Sequence, residues 1–191
     1  MGKVCCAILL LCSMVIAIPI VNGIDQSPQG VAKWFKNQPK MKEKVTKLHF
    51  YFHDQVSGKN PTAVIVAQAN TTFQSPNLFG LVVVIDDALT VGPEPNSTIV
   101  GRAQGTYSSA GLDDAVAAMS LNFVFTSGAY NGSTLSVLGR NAVLHTYREM
   151  PIVGGSGVFR LARGIATAKS YSFNATSGDA IVEYNVVVLH Y

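Results

Sequence analysis

The sequence predicts an all-β domain, an eight-stranded antiparallel up-and-down β-barrel enclosing a cavity for a small molecule. Three observations carry this. From Leu48 onward, eight runs rich in Val, Ile, Phe, Tyr and Thr recur, at about 48–54, 62–70, 78–86, 98–108, 119–127, 132–139, 157–171 and 180–190. Gly, Pro, Asn, Asp or Ser punctuates most of the gaps, as in Ser57-Gly58-Lys59-Asn60-Pro61, Gly92-Pro93-Glu94-Pro95-Asn96 and the hairpin signal Asn131-Gly132. The connections are short, and short connections force antiparallel neighbours because a parallel pair needs a long crossover. A closed barrel of eight strands is just wide enough to hold one small ligand, whereas a sandwich brings longer crossovers.

Ahead of the barrel lie two different segments. Lys3 precedes Val4–Ile18, a mostly apolar run of 15 residues ended by Pro19, and small residues follow at Val21-Asn22-Gly23. Residues 1–23 therefore read as a secretory signal peptide, too short to span a membrane. All three cysteines, Cys5, Cys6 and Cys12, leave with it, so no disulfide, thiolate metal site or cysteine nucleophile is expected in the mature domain. Residues 24–47 form a basic arm. Six lysines stand between 33 and 47 against Glu43 alone, while residues 48–191 carry seven Lys and Arg against nine Asp and Glu. The arm is either a solvated segment or a contact for an acidic polymer. Pro28–Asn37 is its helical candidate, and Leu112–Ala118 reads as a helical turn inside the barrel domain, 48–191.

Composition narrows the function class. With 48% hydrophobic and 13% charged residues, the chain is neither disordered nor a coiled coil. A net charge of +3 is too small to mark a nucleic-acid binder. Four sequons, at Asn70, Asn96, Asn131 and Asn174, fit a secreted, extracellular glycoprotein of the apoplast or cell wall, with no membrane partner. Strands apolar at consecutive positions, such as Leu81–Ile85 and Val186–Leu189, call for cover outside the barrel as well as inside, so a homo-oligomer is expected.

The common catalytic motifs are missing: there is no G-x-S-x-G, H-E-x-x-H or Walker loop. His49 and His53 sit four apart on a strand, about 13 Å from each other, which is a poor metal pair. No metal and no cofactor is expected. The informative run is Leu48-His-Phe-Tyr-Phe-His-Asp54. Alternation puts Leu48, Phe50, Phe52 and Asp54 on one face, and its first three members make that face interior. A carboxyl facing an apolar cavity resists ionisation and can serve as a general acid. Alternatively, Asp54 begins the turn to Gly58 and caps its own backbone. Gly101, Ala103 and Gly105 alternate ahead of Tyr107, leaving room for a flat ligand or a neighbouring ring. Tyr107 itself is either a hydrogen-bond donor to a phenolic oxygen or an aromatic filler. Arg148 is either half of a surface pair with Glu149 or an inward cation for a developing phenolate.

Together, Phe52-His-Asp54, Gly58-Lys-Asn-Pro-Thr62, Val100-Gly-Arg-Ala-Gln-Gly-Thr-Tyr107, Gly139-Arg-Asn141, Arg148-Glu-Met-Pro-Ile-Val-Gly-Gly155, Phe159-Arg-Leu-Ala-Arg-Gly164 and Gly178-Asp-Ala-Ile-Val-Glu-Tyr-Asn185 resemble the plant dirigent family across about residues 46–191. The resemblance implies a secreted barrel, commonly trimeric, that imposes stereochemistry on the coupling of phenoxy radicals such as those of coniferyl alcohol, giving optically active lignans. A separate oxidase of laccase or peroxidase type would supply the radicals. The resemblance places Asp54, Tyr107 and Arg148 in the cavity as catalytic residues, with Phe52, Asn141, Phe159 and Phe173 binding a small phenolic substrate. One departure matters. Lignan-forming members often carry a second cavity aspartate where this chain has Asn141, which cannot act as an acid. The Gly-Arg-Asn version resembles a broader subgroup that includes isoflavanol dehydratases closing the pterocarpan ring through a quinone methide. Three functions follow as expectations: stereodirected radical coupling, a dehydratase and quinone methide cyclase, or a non-catalytic carrier of small phenolics.

Overall fold

The computed structural model describes residues 24–191. The predicted signal peptide and its three cysteines lie outside the described residues. The first element among the described residues is helix α1, Pro28–Asn37. Ser27 caps it by accepting the Gly30 N–H, and proline opens the first turn, where a missing N–H costs nothing. No residue of α1 is fully buried.

Strand β1 runs from Lys44 to Asp54. It starts four residues ahead of the expected 48, since the in–out alternation reaches back through Thr46; Lys44 and Lys47 thus belong to the barrel wall. The remaining strands are β2 Ala63–Ala67, β3 Val82–Thr90, β4 Ile99–Ser109, β5 Val116–Phe125, β6 Thr134–Ala142, β7 Arg148–Ser156, β8 Arg163–Phe173 and β9 Ala180–His190. They hydrogen-bond in the order β1-β9-β8-β7-β6-β5-β4-β3-β2, and β1 also pairs with β3, closing a ring of eight antiparallel strands. β2 is an additional outer strand on the first half of β3, from Ala63↔Ile85 to Ala67↔Val82.

The barrel is the predicted one, but its staves are assigned differently at three places. The run 62–70 supplies the outer strand β2. The eighth stave is β7, which the sequence pattern hides behind Pro151 and the paired glycines 154 and 155. Pro151 is tolerated because the β6–β7 ladder ends at Val137↔Ile152, so no N–H is required of it on that side. The predicted strand 157–171 contains a boundary: Gly157–Phe159 is a 3₁₀ turn, and β8 starts only at Arg163. Gly157 takes φ +65°, and a Cβ there would lie 2.5 Å from Ser133 Oγ. Leu112–Ala118 is a bend running into β5.

The barrel interior has two halves. Toward the end where β1 begins, Phe50, Phe123, Phe125, Phe159, Val186 and Val188 are buried in the ring. Phe50 meets Phe123 edge-on at 4.9 Å between centroids, and Phe159 meets Phe125, Tyr130 and His190 at 5.0–5.7 Å. The other half, where β1 ends, holds the buried polar atoms that lack partners. The eleven residues of β1 put the two ends about 33 Å apart at the usual rise of a strand.

Candidate functional site

Asp54 is the last residue of β1, opposite Ala180 of β9. It faces inward as the third member of the Phe50, Phe52, Asp54 row. It does not cap the turn that follows. That work is done by Asp179, whose Oδ1 accepts the Val56 and Ser57 N–H groups at 2.9 and 3.0 Å while Oδ2 accepts the Ser57 and Ser177 hydroxyls at 2.6 and 2.8 Å. Those bonds hold the Asp179 carboxyl below its ordinary pKa. Asp54 has the opposite environment. Its Oδ1 is buried without a partner, and burial pushes its pKa to about 6. Tyr107 faces the carboxyl and favours its charged form, while the charge on Asp179 favours the protonated form. Burial and the neighbouring Asp54 in turn push the Tyr107 phenol far above its ordinary range.

Arg148 opens β7 and points inward, 4% exposed, while Glu149 alternates outward. The inward reading of the sequence holds and the surface ion pair does not. Arg148 Nη1 donates to the Val143 carbonyl and the Ser170 hydroxyl, both at 2.8 Å, but Nε and Nη2 are buried without partners. Burial pushes the phenol of Tyr184, on β9, above its ordinary range; the charge of Arg148 opposes that shift and the charges of Asp54 and Asp87 add to it. Asn141, at the end of β6, is buried; its Nδ2 donates to Met119 Sδ at 3.7 Å and its Oδ1 has no partner.

Asp87 completes the group, and sequence reasoning missed it. It lies on the inward row Val83, Ile85, Asp87, Leu89 of β3 and has no solvent exposure. Thr62 Oγ1 donates to its Oδ1 at 2.5 Å, and its Oδ2 is unpartnered. Burial, reinforced by the charge of Asp54, pushes its pKa to about 8. The signal was the in–out alternation of Val83, Ile85 and Leu89, but the predicted strand stopped at Asp86, one residue short.

These residues share a property. Among the described residues, the buried side-chain polar atoms without a hydrogen-bond partner are Asp54 Oδ1, Asp87 Oδ2, Asn141 Oδ1 and Arg148 Nε and Nη2. Buried polar atoms normally find partners, and unsatisfied ones concentrated in one place mark a site built for a ligand. A mouth of about 370 Å³ opens beside Asp54, lined also by His53, Pro95, Phe173, Asn174 and Asp179; of the four residues with unpartnered atoms, Asp54 alone lines it. No group of three or more His, Cys, Asp or Glu residues among those described could hold a metal ion.

Of the residues picked from sequence, Asp54, Tyr107, Arg148, Asn141 and Phe52 come together in this half of the barrel. Phe173 stands at its rim, 66% exposed. Phe159 does not belong: it is fully buried at the far end, against His190, because it sits in the turn between β7 and β8 and not on a strand. Gly101 and Gly105 do not open room for a ligand either. A Cβ on them would come within 2.4 Å of Val124 O and 2.3 Å of Ser120 O, so they serve the close approach of β4 to β5. The four sequon asparagines are all exposed, and Asn174 also lines the mouth.

A family model for dirigent-like proteins matches residues 45–189. Dirigent protein 21 of Arabidopsis thaliana is 50% identical over 181 residues, covering 95% of this chain and 94% of its own. Pterocarpan synthase 1 of Glycyrrhiza echinata is 53% identical over 150 residues, 78% of this chain and 80% of that protein. A solved structure of a pterocarpan synthase dirigent protein superimposes with a TM-score of 0.75 at 53% identity, covering 79% of this chain and 87% of that one.

Proposed function

The chain belongs to the dirigent family, and from that membership we propose that it is a quinone methide-forming dehydratase that closes an ether ring on an isoflavanol-type substrate, in the manner of a pterocarpan synthase. The observation that carries this reading is Asp54, the one acid at the mouth with an unpartnered buried oxygen, in the same half of the barrel as a buried cation, Arg148, with Asn141 where a second cavity aspartate would favour lignan coupling.

The chemistry balances on those residues. Protonated Asp54 gives its proton to the benzylic hydroxyl of the substrate; the C–O bond breaks and water leaves. The conjugated phenol releases its proton to solvent, which makes the quinone methide. A second hydroxyl of the substrate then attacks the benzylic carbon, and its proton returns to Asp54. The carbonyl oxygen of the quinone methide gains negative charge in that step, beside the unpartnered nitrogens of Arg148, and takes a proton from solvent to become the phenol again. The net change is loss of one water. Arg148 is fixed before the reaction, so it stabilises the developing charge without reorganising. The apolar wall, with Phe52 beneath and Phe173 at the rim, presents one face of the intermediate to attack. A dehydration of this kind needs no oxidant. As part of the same proposal, the signal peptide reading of residues 1–23 would put the activity outside the cell.

The test is incubation of the mature protein with isoflavanols, and separately with coniferyl alcohol plus a one-electron oxidant, followed by chiral chromatography. Ring-closed product from an isoflavanol without oxidant supports the proposal. Enantiomeric excess only in the radical coupling would replace it with the lignan-forming reading, and tight binding with no conversion in either arm would replace it with a carrier.

A further inference from the structure

We infer that Asp87 and Asp54 form a carboxyl pair that shares its protons, with Asp87 holding one in reserve behind the acid at the mouth. The inference deepens the dehydratase reading and rests on it for its catalytic meaning. The pairing itself stands on geometry.

β1 and β3 close the barrel in the register Tyr51↔Thr90, Phe52↔Leu89, His53↔Ala88, so Asp54 and Asp87 occupy the next position on facing strands. Both lie on the inward faces, Asp54 two residues after Phe52 and Asp87 two before Leu89. Facing residues of an antiparallel pair have Cβ atoms about 5 Å apart, within reach for two carboxyl groups. Each carries one buried oxygen without a partner. The rest of the Asp87 surroundings is accounted for. Thr62 donates to Oδ1, and the Gln55 backbone acts on the carboxyl from the β1–β2 loop. From β4, Arg102 favours the charged form of Asp87 but is bonded to Asp86 on the outer face at 2.8 Å. Tyr107 from β4 and Tyr184 from β9 complete the charged and titratable groups nearby. No cation forms an ion pair with Asp87 among the described residues. A carboxyl so enclosed stays protonated where exposed ones do not.

Two carboxyl groups at such range cannot both ionise readily, and their protons leave in two steps that belong to the pair. Between those steps the pair holds one proton. That proton passes from Asp87 through Asp54 to the leaving oxygen, and the proton of the attacking hydroxyl restores it to the pair. Asp87 acts through Asp54 and is a positioning and proton-holding residue.

The experiment is a pH titration of the full mature chain followed by carboxyl infrared bands or ¹³C resonances, in wild type, Asp87→Asn, Asp54→Asn and Thr62→Val. It needs no substrate, so it stands apart from the isoflavanol assay. The wild type is expected to keep a carboxylic acid signal above pH 7 that Asp87→Asn lacks. In Asp54→Asn the Asp87 step moves to lower pH, because the charge that opposed it is gone. In Thr62→Val, which stands in should Asp87→Asn not fold, the step moves higher, because the hydroxyl favouring the anion is removed. Ionisation of Asp87 along with the exposed acids below pH 5, or a step that neither Asp54→Asn nor Thr62→Val moves, would overturn the pairing. In the isoflavanol assay, Asp87→Asn is expected to lose activity at lower pH on the alkaline side than the wild type does; an unmoved alkaline limb would overturn the reserve role.

Discussion

The two halves of this barrel are built of similar strands and handle polar groups in opposite ways. At the end where β1 begins, buried His190 donates from Nδ1 to the Val158 carbonyl at 3.1 Å and accepts at Nε2 from the Thr46 hydroxyl at 2.8 Å. Ser133 accepts the Val158 N–H at 3.0 Å, and aromatic rings fill the remaining space. At the end where β1 finishes, Asp54, Asp87, Asn141 and Arg148 are buried with atoms left over. The first half spends its polar residues on stability. The second holds desolvated groups that no other protein atom satisfies, a cost that a bound ligand or buried water offsets.

The comparison can be broken most directly at Asp54. Asp54→Asn keeps the shape and removes the transferable proton, so the rate of ring closure is expected to fall ~10²–10⁴-fold. Binding should weaken far less. Stability should move the other way. The folded-state pKa of Asp54 is raised to about 6 from an ordinary 3.8, so the folded chain binds the extra proton in that window. Wild-type stability therefore falls as pH rises from about 4 to about 6, by roughly 3 kcal/mol from this group at most, and the fall is complete above it. The variant lacks that slope, and its melting temperature should overtake the wild type as pH is raised from 4 to 7. Full activity with a lowered melting temperature would return Asp54 to the role of a turn cap.

A smaller effect is expected at the other end. His190→Phe removes both hydrogen bonds while keeping an aromatic ring against Phe159. The loss should be ~1–3 kcal/mol of stability, read by denaturant unfolding. Turnover at a temperature where the variant is folded should equal wild type. A change in product stereochemistry would mean that the two halves are coupled.

What was legible in the sequence follows the same division. The alternation Leu48, Phe50, Phe52 carried Asp54 to the interior correctly, because a strand buried on one side repeats every two residues. The same alternation could not say whether Asp54 was bonded to its own turn. That depended on Asp179, 125 residues later in the chain, which takes the backbone N–H groups that Asp54 would have capped. Asp87 was lost to a boundary one residue short, and Phe159, placed in the cavity by the family resemblance, sits instead in the 3₁₀ turn Gly157–Phe159 ahead of β8. β7 was hidden by Pro151, whose tolerance depends on where a neighbouring ladder stops. Local pattern reports which side a residue faces; which end of the barrel it reaches is set by register, and register is written between strands.

The closure of the ring has one more consequence. β1 is zipped to β9 through eleven residue pairs but to β3 through three, Tyr51↔Thr90 to His53↔Ala88. A hoop opens where its clasp is shortest, and here the clasp abuts the two acids. Brief unfastening of these pairs admits bulk water to Asp54 and Asp87 without disturbing the aromatic plug at the other end. The amides of that short ladder should accordingly trade their hydrogens for deuterium ahead of those along β1–β9, which makes the breathing of the barrel, and not only its shape, a determinant of how long a proton stays on the pair.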